Sequence, residues 1–131
     1  MERRNVSSGA KWEPLVGYSR AVRVGPWIAI AGTTATNEQG RVVSLGDAHG
    51  QAVHILQKIQ ASLEKAGARM QDVVRTRIFL TEIADWEAVG RAHAEFFRDI
   101  RPVTTLVQVS RLIDPNMLVE IEADAIVPDA A

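Results

Sequence analysis

The sequence predicts an α+β domain in which a single β-sheet carries two helices on one face. Three observations lead there. From Val119 to Ala125 the side chains alternate: Val119, Ile121, Ala123 and Ala125 point one way, Glu120, Glu122 and Asp124 the other. Two segments, starting at Ala48 and Trp86, instead repeat apolar residues along one helical stripe. The acidic side of the last strand repels itself unless something positive meets it, so one sheet face wants an apolar lid and the other a polar partner.

Taken in order, residues 1–16 are weakly patterned and read as one short edge strand. Residues 18–24 alternate, Gly25-Pro26 turns the chain, and the apolar run 27–33 completes a hairpin. Asn37-Glu38-Gln39-Gly40 is a second turn. Asp47 is a fitting N-cap for a helix whose stripe is Ala48, Ala52, Ile55, Leu56, Ile59, Leu63 and Ala66, and Gly67 suits its end. Residues 73–81 form a strand with Val74, Thr76, Ile78 and Leu80 on one face and Arg75, Arg77 and Phe79 on the other. Asp85 caps the second helix, with Trp86, Val89, His93, Phe96 and Phe97 in its stripe. Glu87, Arg91 and Glu95 line its wet side at supporting i,i+4 spacing. Residues 101–112 and 119–125 read as two strands with a turn between them. The sheet face opposite the helices then holds Arg75, Arg77, Glu120, Glu122 and Asp124 among apolar neighbours, which suits an oligomer interface with paired charges.

Composition sets the bounds. A chain of 131 residues makes one domain, 1–131, with no linker or repeat inside it. With 15 basic and 16 acidic residues there is no basic face to attract nucleic acid, and 5% aromatics offers no base-stacking surface. No cysteine is present, which removes disulfides, thiolate nucleophiles and cysteine metal sites. His49 and His54 sit five apart, off a common helical face, so no metal site is expected from them. No apolar run approaches the roughly 20 residues of a membrane span, and the start of the chain lacks the apolar stretch of a secretory signal. A cytoplasmic protein without membrane contact is expected.

Several motifs then fall into register with a known family. Gly17-Tyr18-Ser19-Arg20-Ala21-Val22-Arg23-Val24-Gly25, Ala31-Gly32, Asp72-Val73-Val74-Arg75-Thr76, Ile78-Phe79-Leu80-Thr81 and Ala94-Glu95-Phe96-Phe97 come first. Val107-Gln108-Val109-Ser110-Arg111-Leu112 and Val119-Glu120-Ile121-Glu122-Ala123 follow. In order and spacing they resemble the reactive intermediate deaminase (Rid/YjgF, L-PSP endoribonuclease-like) family over residues 15–127. The resemblance implies a chorismate-mutase-like α+β subunit with a single mixed sheet and two helices on one face. It also implies a homotrimer with clefts between subunits, and hydrolysis of enamines and imines such as 2-aminoacrylate without a metal or cofactor. In that family an arginine grips the substrate carboxylate, a last-strand glutamate positions water, and a tyrosine and a glycine turn line the cleft.

Carried onto this chain, the resemblance makes Glu122 the catalytic glutamate, with Tyr18 and Gly32 in the cleft. The arginine position is Thr104, and the family's asparagine and aromatic in the second helix are Gly90 and His93. A threonine donates one hydrogen bond without charge, and losing a buried charged anchor costs about 2–5 kcal/mol. The chain thus resembles a branch lacking the substrate-binding arginine, and standard 2-aminoacrylate hydrolysis is not expected. Thr104, Thr105 and His93 join Tyr18, Gly32 and Thr33 as candidate binding residues, Thr33 because Gly32-Thr33-Thr34 could present hydroxyls or simply end a strand. Glu122 has two readings: a catalytic group free of its own sheet's arginines, or an ion-pair partner of Arg75, Arg77 or Arg111. Arg77 and Arg101 are the cations that could replace the missing one. The function expected is action on, or binding of, a small imine, enamine or related carbonyl metabolite in intersubunit clefts. A non-catalytic metabolite-binding trimer is the alternative and an endoribonuclease the third choice.

Overall fold

A computed structural model describes residues 1–128. Six strands form one sheet in the order β1-β2-β3-β6-β4-β5, built from β1 Arg3–Val6, β2 Ala21–Val24, β3 Trp27–Thr34, β4 Val73–Leu80, β5 Val103–Gln108 and β6 Val119–Ile126. The pairings are antiparallel except β4 with β5, where Arg75 faces Val103 and Leu80 faces Gln108 in parallel register, so the sheet is mixed. Helices α1 Trp12–Val16, α2 Ala48–Lys65 and α3 Trp86–Phe97 complete the order. Among the described residues no helix is long and apolar enough to cross a membrane.

The core lies between the two long helices and one sheet face. Ile55, Leu56, Ile59 and Leu63 of α2 and Val89, Ala92 and Phe97 of α3 meet Ile28, Ile78, Leu80, Val119 and Ile121 of the sheet. Each fully buried Leu or Ile side chain stabilises the fold by about 1.5–3 kcal/mol relative to exposure. Helix α2 is capped as expected, with Asp47 Oδ1 accepting from the Gly50 N–H at 2.9 Å. Its far end is held by two arginines from the sheet. Arg23 Nη1 donates to the Ala66 carbonyl and Arg4 Nη2 to the Lys65 carbonyl, both at 2.7 Å, where the helix dipole favours positive charge. Gly67 leaves the helix at φ +84°.

Four expectations are corrected. First, more than a turn separates the two C-terminal strands. The first ends at Gln108, residues 109–118 are irregular, and β6 enters the sheet centre between β3 and β4. Fully buried Gln51 pins that crossing, donating to the Asn116 carbonyl at 2.9 Å and accepting from the Leu118 N–H at 2.9 Å. Second, the register slips between Val73 and Arg75, a bulge that buries Val73 and turns Val74 outward. Third, Trp86 stands half exposed at the start of α3 and Ala92 takes the core position. Asp85 occupies the N-cap of α3 without a side-chain bond, and Glu82 caps the preceding turn by accepting from the Ala84 N–H. Fourth, the short edge strand expected within residues 1–16 is β1, but residues 12–16 add a helix that was not expected, closed by Gly17 at φ +89° and anchored by buried Glu13, which accepts from the Ser8 backbone and hydroxyl.

Candidate functional site

β2 begins at Ala21, so beyond Ala31 one edge of β3 has no strand beside it. Side chains take over. Arg20 Nη2 donates to the Gly32 carbonyl at 2.7 Å. Lys58 Nζ, rising from α2, donates to the Thr34 carbonyl at 2.8 Å and to the Thr36 carbonyl and hydroxyl at 3.2 and 3.0 Å. Buried edge carbonyls need such partners. Burial, and next the Arg20 charge, hold the Lys58 ammonium down to about 8.

On the other side of β3, Glu120 reaches back over the bulge between Ile30 and Thr33. Its Oε2 occupies the place that a Cβ on residue 32 would take, so glycine alone admits it. Burial pushes the Glu120 carboxyl above its ordinary value, the neighbouring Glu122 adds to that, and Arg20 pulls the other way. The Arg20 guanidinium stands 5.8 Å from the ring centre of Tyr18, and its buried Nε makes no hydrogen bond among the described residues. An open depression of about 330 Å³ is lined by Tyr18 and Ser19 together with Arg3 and Asn5 of β1 and Val22, Ala29 and Ala31; it does not include Arg20, Gly32 or Glu120. The arrangement offers a carboxyl with a raised affinity for protons, a cation and an aromatic wall around one glycine. That combination suits proton transfer on a small bound molecule.

The other predicted residues fall elsewhere. Glu122 stands opposite Arg77 in the sheet, and Arg77 Nη1 reaches Glu122 Oε1 at 3.2 Å and Asp124 Oδ2 at 3.3 Å. That is the ion-pair arrangement, and it occupies Arg77. Arg101 turns its Nε onto the Arg98 carbonyl at 3.1 Å. Thr33 presents no hydroxyl outward: it is buried, and its Oγ1 donates to the Ala31 carbonyl at 2.8 Å. Thr105 is exposed opposite Arg77, on the face of Glu122. Thr104 points to the helix side. There its Oγ1 lies 2.8 Å from Thr76 Oγ1, which lies 2.9 Å from His93 Nε2. His93 packs on Phe97 with ring centres 4.6 Å apart, and burial lowers its pKa. His49 Nε2 meets Glu95 at 2.9 Å, and His54 Nε2 lies 3.1 Å from the Thr36 carbonyl.

The structure therefore gathers Tyr18 and Gly32 with Arg20 and Glu120 at one end of β3 and β6. It gathers His93 and Thr104 at the β4–β5 edge and leaves Glu122 between. Sequence reasoning missed Arg20, Lys58 and the separate environment of Glu120. Arg20 stood inside a quoted motif beside Tyr18, but nothing in the sequence showed that β2 would stop short and leave carbonyls for it.

Comparison with known proteins then places the chain. The family described as Endoribonuclease L-PSP matches residues 9–127. The chain belongs to this family. It is similar to the 3-aminoacrylate deaminase RutC of Acinetobacter baylyi, 36% identical over 112 residues, 86% of this chain and 88% of that one. An uncharacterized protein of Streptomyces coelicolor is 38% identical over 122 residues, 93% and 90% of the two chains. Among solved structures, a member of the YjgF/YER057c/UK114 family from Mycobacterium tuberculosis superposes with a TM-score of 0.87 at 49% identity, over 96% of this chain and 100% of that one. The α+β architecture, one mixed sheet with helices, is the fold of these YjgF/UK114 relatives.

Proposed function

We propose that the protein acts on a small imine, enamine or related carbonyl compound in clefts between the subunits of a homotrimer, with Glu120 as the acid/base group. The observation that carries this reading is the Glu120 carboxyl lying over Gly32 with its pKa raised by burial. Such a group gives a proton to the nitrogen of a C=N bond while water adds to the carbon. The carboxylate takes one proton back from the added water and returns it to the nitrogen; it then accepts the hydroxyl proton as the C–N bond breaks, leaving a carbonyl compound, ammonia and protonated Glu120. Glu120 is preferred over Glu122 because Arg77 already engages Glu122. Similarity to the 3-aminoacrylate deaminase RutC supports the class of bond. Thr104 carries no charge to hold a carboxylate, so 2-aminoacrylate is not the favoured substrate. The face bearing Arg77, Glu122 and Asp124 supports assembly, since a half-apolar, charge-paired surface suits a second subunit.

The test is ammonia release from imines generated in situ by amine oxidases, which carry no carboxylate, beside those made by amino-acid oxidases, which do. Turnover that Glu120→Gln abolishes and Glu122→Gln preserves bears the reading out, as does a particle of three times 14.4 kDa by light scattering. Loss of turnover in Glu122→Gln alone would move the role to Glu122. Metabolite binding without turnover would favour the non-catalytic reading, which the uncharged Thr104 and Gly90 support. An endoribonuclease role finds no support in the near-neutral charge balance.

A further inference from the structure

The even balance of charge along the chain hides a local excess. Arg4 of β1 and Arg23 of β2 stand directly opposite each other in antiparallel register. Like charges so placed repel and weaken a sheet. Both guanidiniums turn to the helix side, where Arg4 Nη2 holds the Lys65 carbonyl and Arg23 Nη1 the Ala66 carbonyl. Arg23 Nε also donates to the Gly25 carbonyl at 2.9 Å. Gly67 makes room for this side chain, since a Cβ there would stand 2.8 Å from Nη1. The two forks are thus fixed in place. Arg4 Nε and Nη1 and Arg23 Nη2 nevertheless have no partner among the described residues.

An open depression of about 290 Å³ lies at these groups, lined by Met1, Glu2, Arg4, Arg23 and Gly25. Among the described residues neither arginine enters an ion pair, nor does Glu2 on the rim or Glu64 in the last turn of α2. Glu64 is balanced by its neighbour Lys65. The helix end sets about half an elementary negative charge against the two positive ones. Helix capping does not account for the pair, because a glutamine at position 4 would serve the Lys65 carbonyl without the repulsion.

We propose that this depression is a phosphoryl-binding site, in which Arg4 and Arg23 grip the oxygens of one dianion. Guanidinium forks pair with phosphate through parallel N–H···O bonds. Neighbouring strands lie about 4.8 Å apart, so the two forks reach a shared ligand from different directions. That suits a tetrahedral group with several oxygens better than a planar carboxylate with two. The depression has the volume of about ten waters, which leaves room for a small organic group on the phosphate. The site shares no residue with the group around Glu120 and Gly32, and it does not rest on the function proposed above.

Amide NMR of the full-length protein, titrated at constant ionic strength with inorganic phosphate, glycerol 3-phosphate and acetate, tests this. Both phosphates should give saturable shifts at Arg4, Arg23 and Gly25, and acetate should bind at least about tenfold more weakly. The tighter of the two phosphates tells whether the free ion or an ester is the ligand. Arg4→Gln and Arg23→Gln should each weaken binding about tenfold or more, the worth of one charged hydrogen bond. Arg4→Lys, which keeps the charge and loses the fork, should weaken it too. Glu2→Gln should tighten it by removing a repelling charge. Arg4 is exposed on an edge strand, so its variants carry the test even if Arg23→Gln fails to fold. Equal binding of acetate and phosphate, shifts that never saturate, or an affinity that survives Arg4→Gln overturns the inference. Tighter binding of a short oligoribonucleotide than of either phosphate would also overturn it, by assigning the patch to nucleic acid.

Discussion

The carboxylate of Glu120 rests on the backbone of Gly32, in space that the Cβ of any other residue would fill. Strand β6 thereby lays the proposed reactive group over strand β3 at the one place where no Cβ stands in its way. The glycine is a requirement of the site and not of the turn, because its φ is not in the left-handed region.

Gly32→Ala should therefore damage function more than folding. The obstructing atoms are the far end of a flexible side chain, so the carboxylate swings aside and the sheet persists. A displacement of about 1 Å at a reacting group costs on the order of a hundredfold in rate. Turnover or ligand affinity measured beside a thermal melt checks this. An alanine variant that melts early and works normally when folded would refute it.

Arg20→Met should move the alkaline limb of any pH–rate profile, where the proton that Glu120 donates is lost, to higher pH. Arg20 is the one neighbour that pulls the Glu120 pKa down, against burial and Glu122, which both raise it. Removing it leaves the two raising influences unopposed. A limb that stays in place would show that Glu120 is not the titrating group.

Arg77→Leu should separate folding from assembly. Its two ion pairs are partly exposed, and in a free subunit each is worth about 0.2–1 kcal/mol. If the face is covered by another subunit, Glu122 and Asp124 become buried charges without a partner, at a cost of about 3–5 kcal/mol. Denaturant titration and light scattering over a concentration series distinguish the two sizes of effect.

Stability should rise with pH in two windows. Lys58 titrates at about 8 in the folded chain against 10.5 when unfolded, so between those values the unfolded chain holds the extra proton. The contribution is complete above 10.5 and is lost as pH falls toward 8, damped because the group is partly solvated. His93 acts in the same sense lower down: its folded pKa lies below 6.5, so stability falls as the solution is acidified through that value. Melting temperatures of the parent, Lys58→Met and His93→Phe across pH 5 to 10.5 assign each slope. A flat profile in the parent would contradict both.

Periodic features were legible in the chain and contacts made by long side chains were not. The alternation of Val119 to Ala125 and the stripe from Ala48 to Leu63 each report burial directly, and both stand as read. The bulge at Val73–Arg75 breaks period two inside an apolar pair, where Val73 and Val74 are chemically identical and only the sheet chooses between them. The order of strands depends on pairings distant in sequence, so local pattern placed β5 and β6 correctly as strands while suggesting that only a turn lay between them. For the site, Tyr18 and Gly32 could be carried over by resemblance. The distinction between Glu120 and Glu122 could not, since two glutamates on one strand face differ only in what their carboxylates reach: Gly32 for one and Arg77 for the other.

The sixth strand in chain order is a central strand of the sheet. A ribosome that has released residues up to Gln108 has supplied two separate half-sheets, β1-β2-β3 and β4-β5, each with an open edge awaiting β6. Neither half can close its core early, because Val119, Ile121, Ala123 and Ala125 supply the apolar strip beneath the helices. Folding must then wait until β6 has emerged, and nascent chains expose two sticky edges for that interval. Truncation before Ile126 should leave insoluble protein instead of a weakened domain, while an extension after residue 128 should be tolerated.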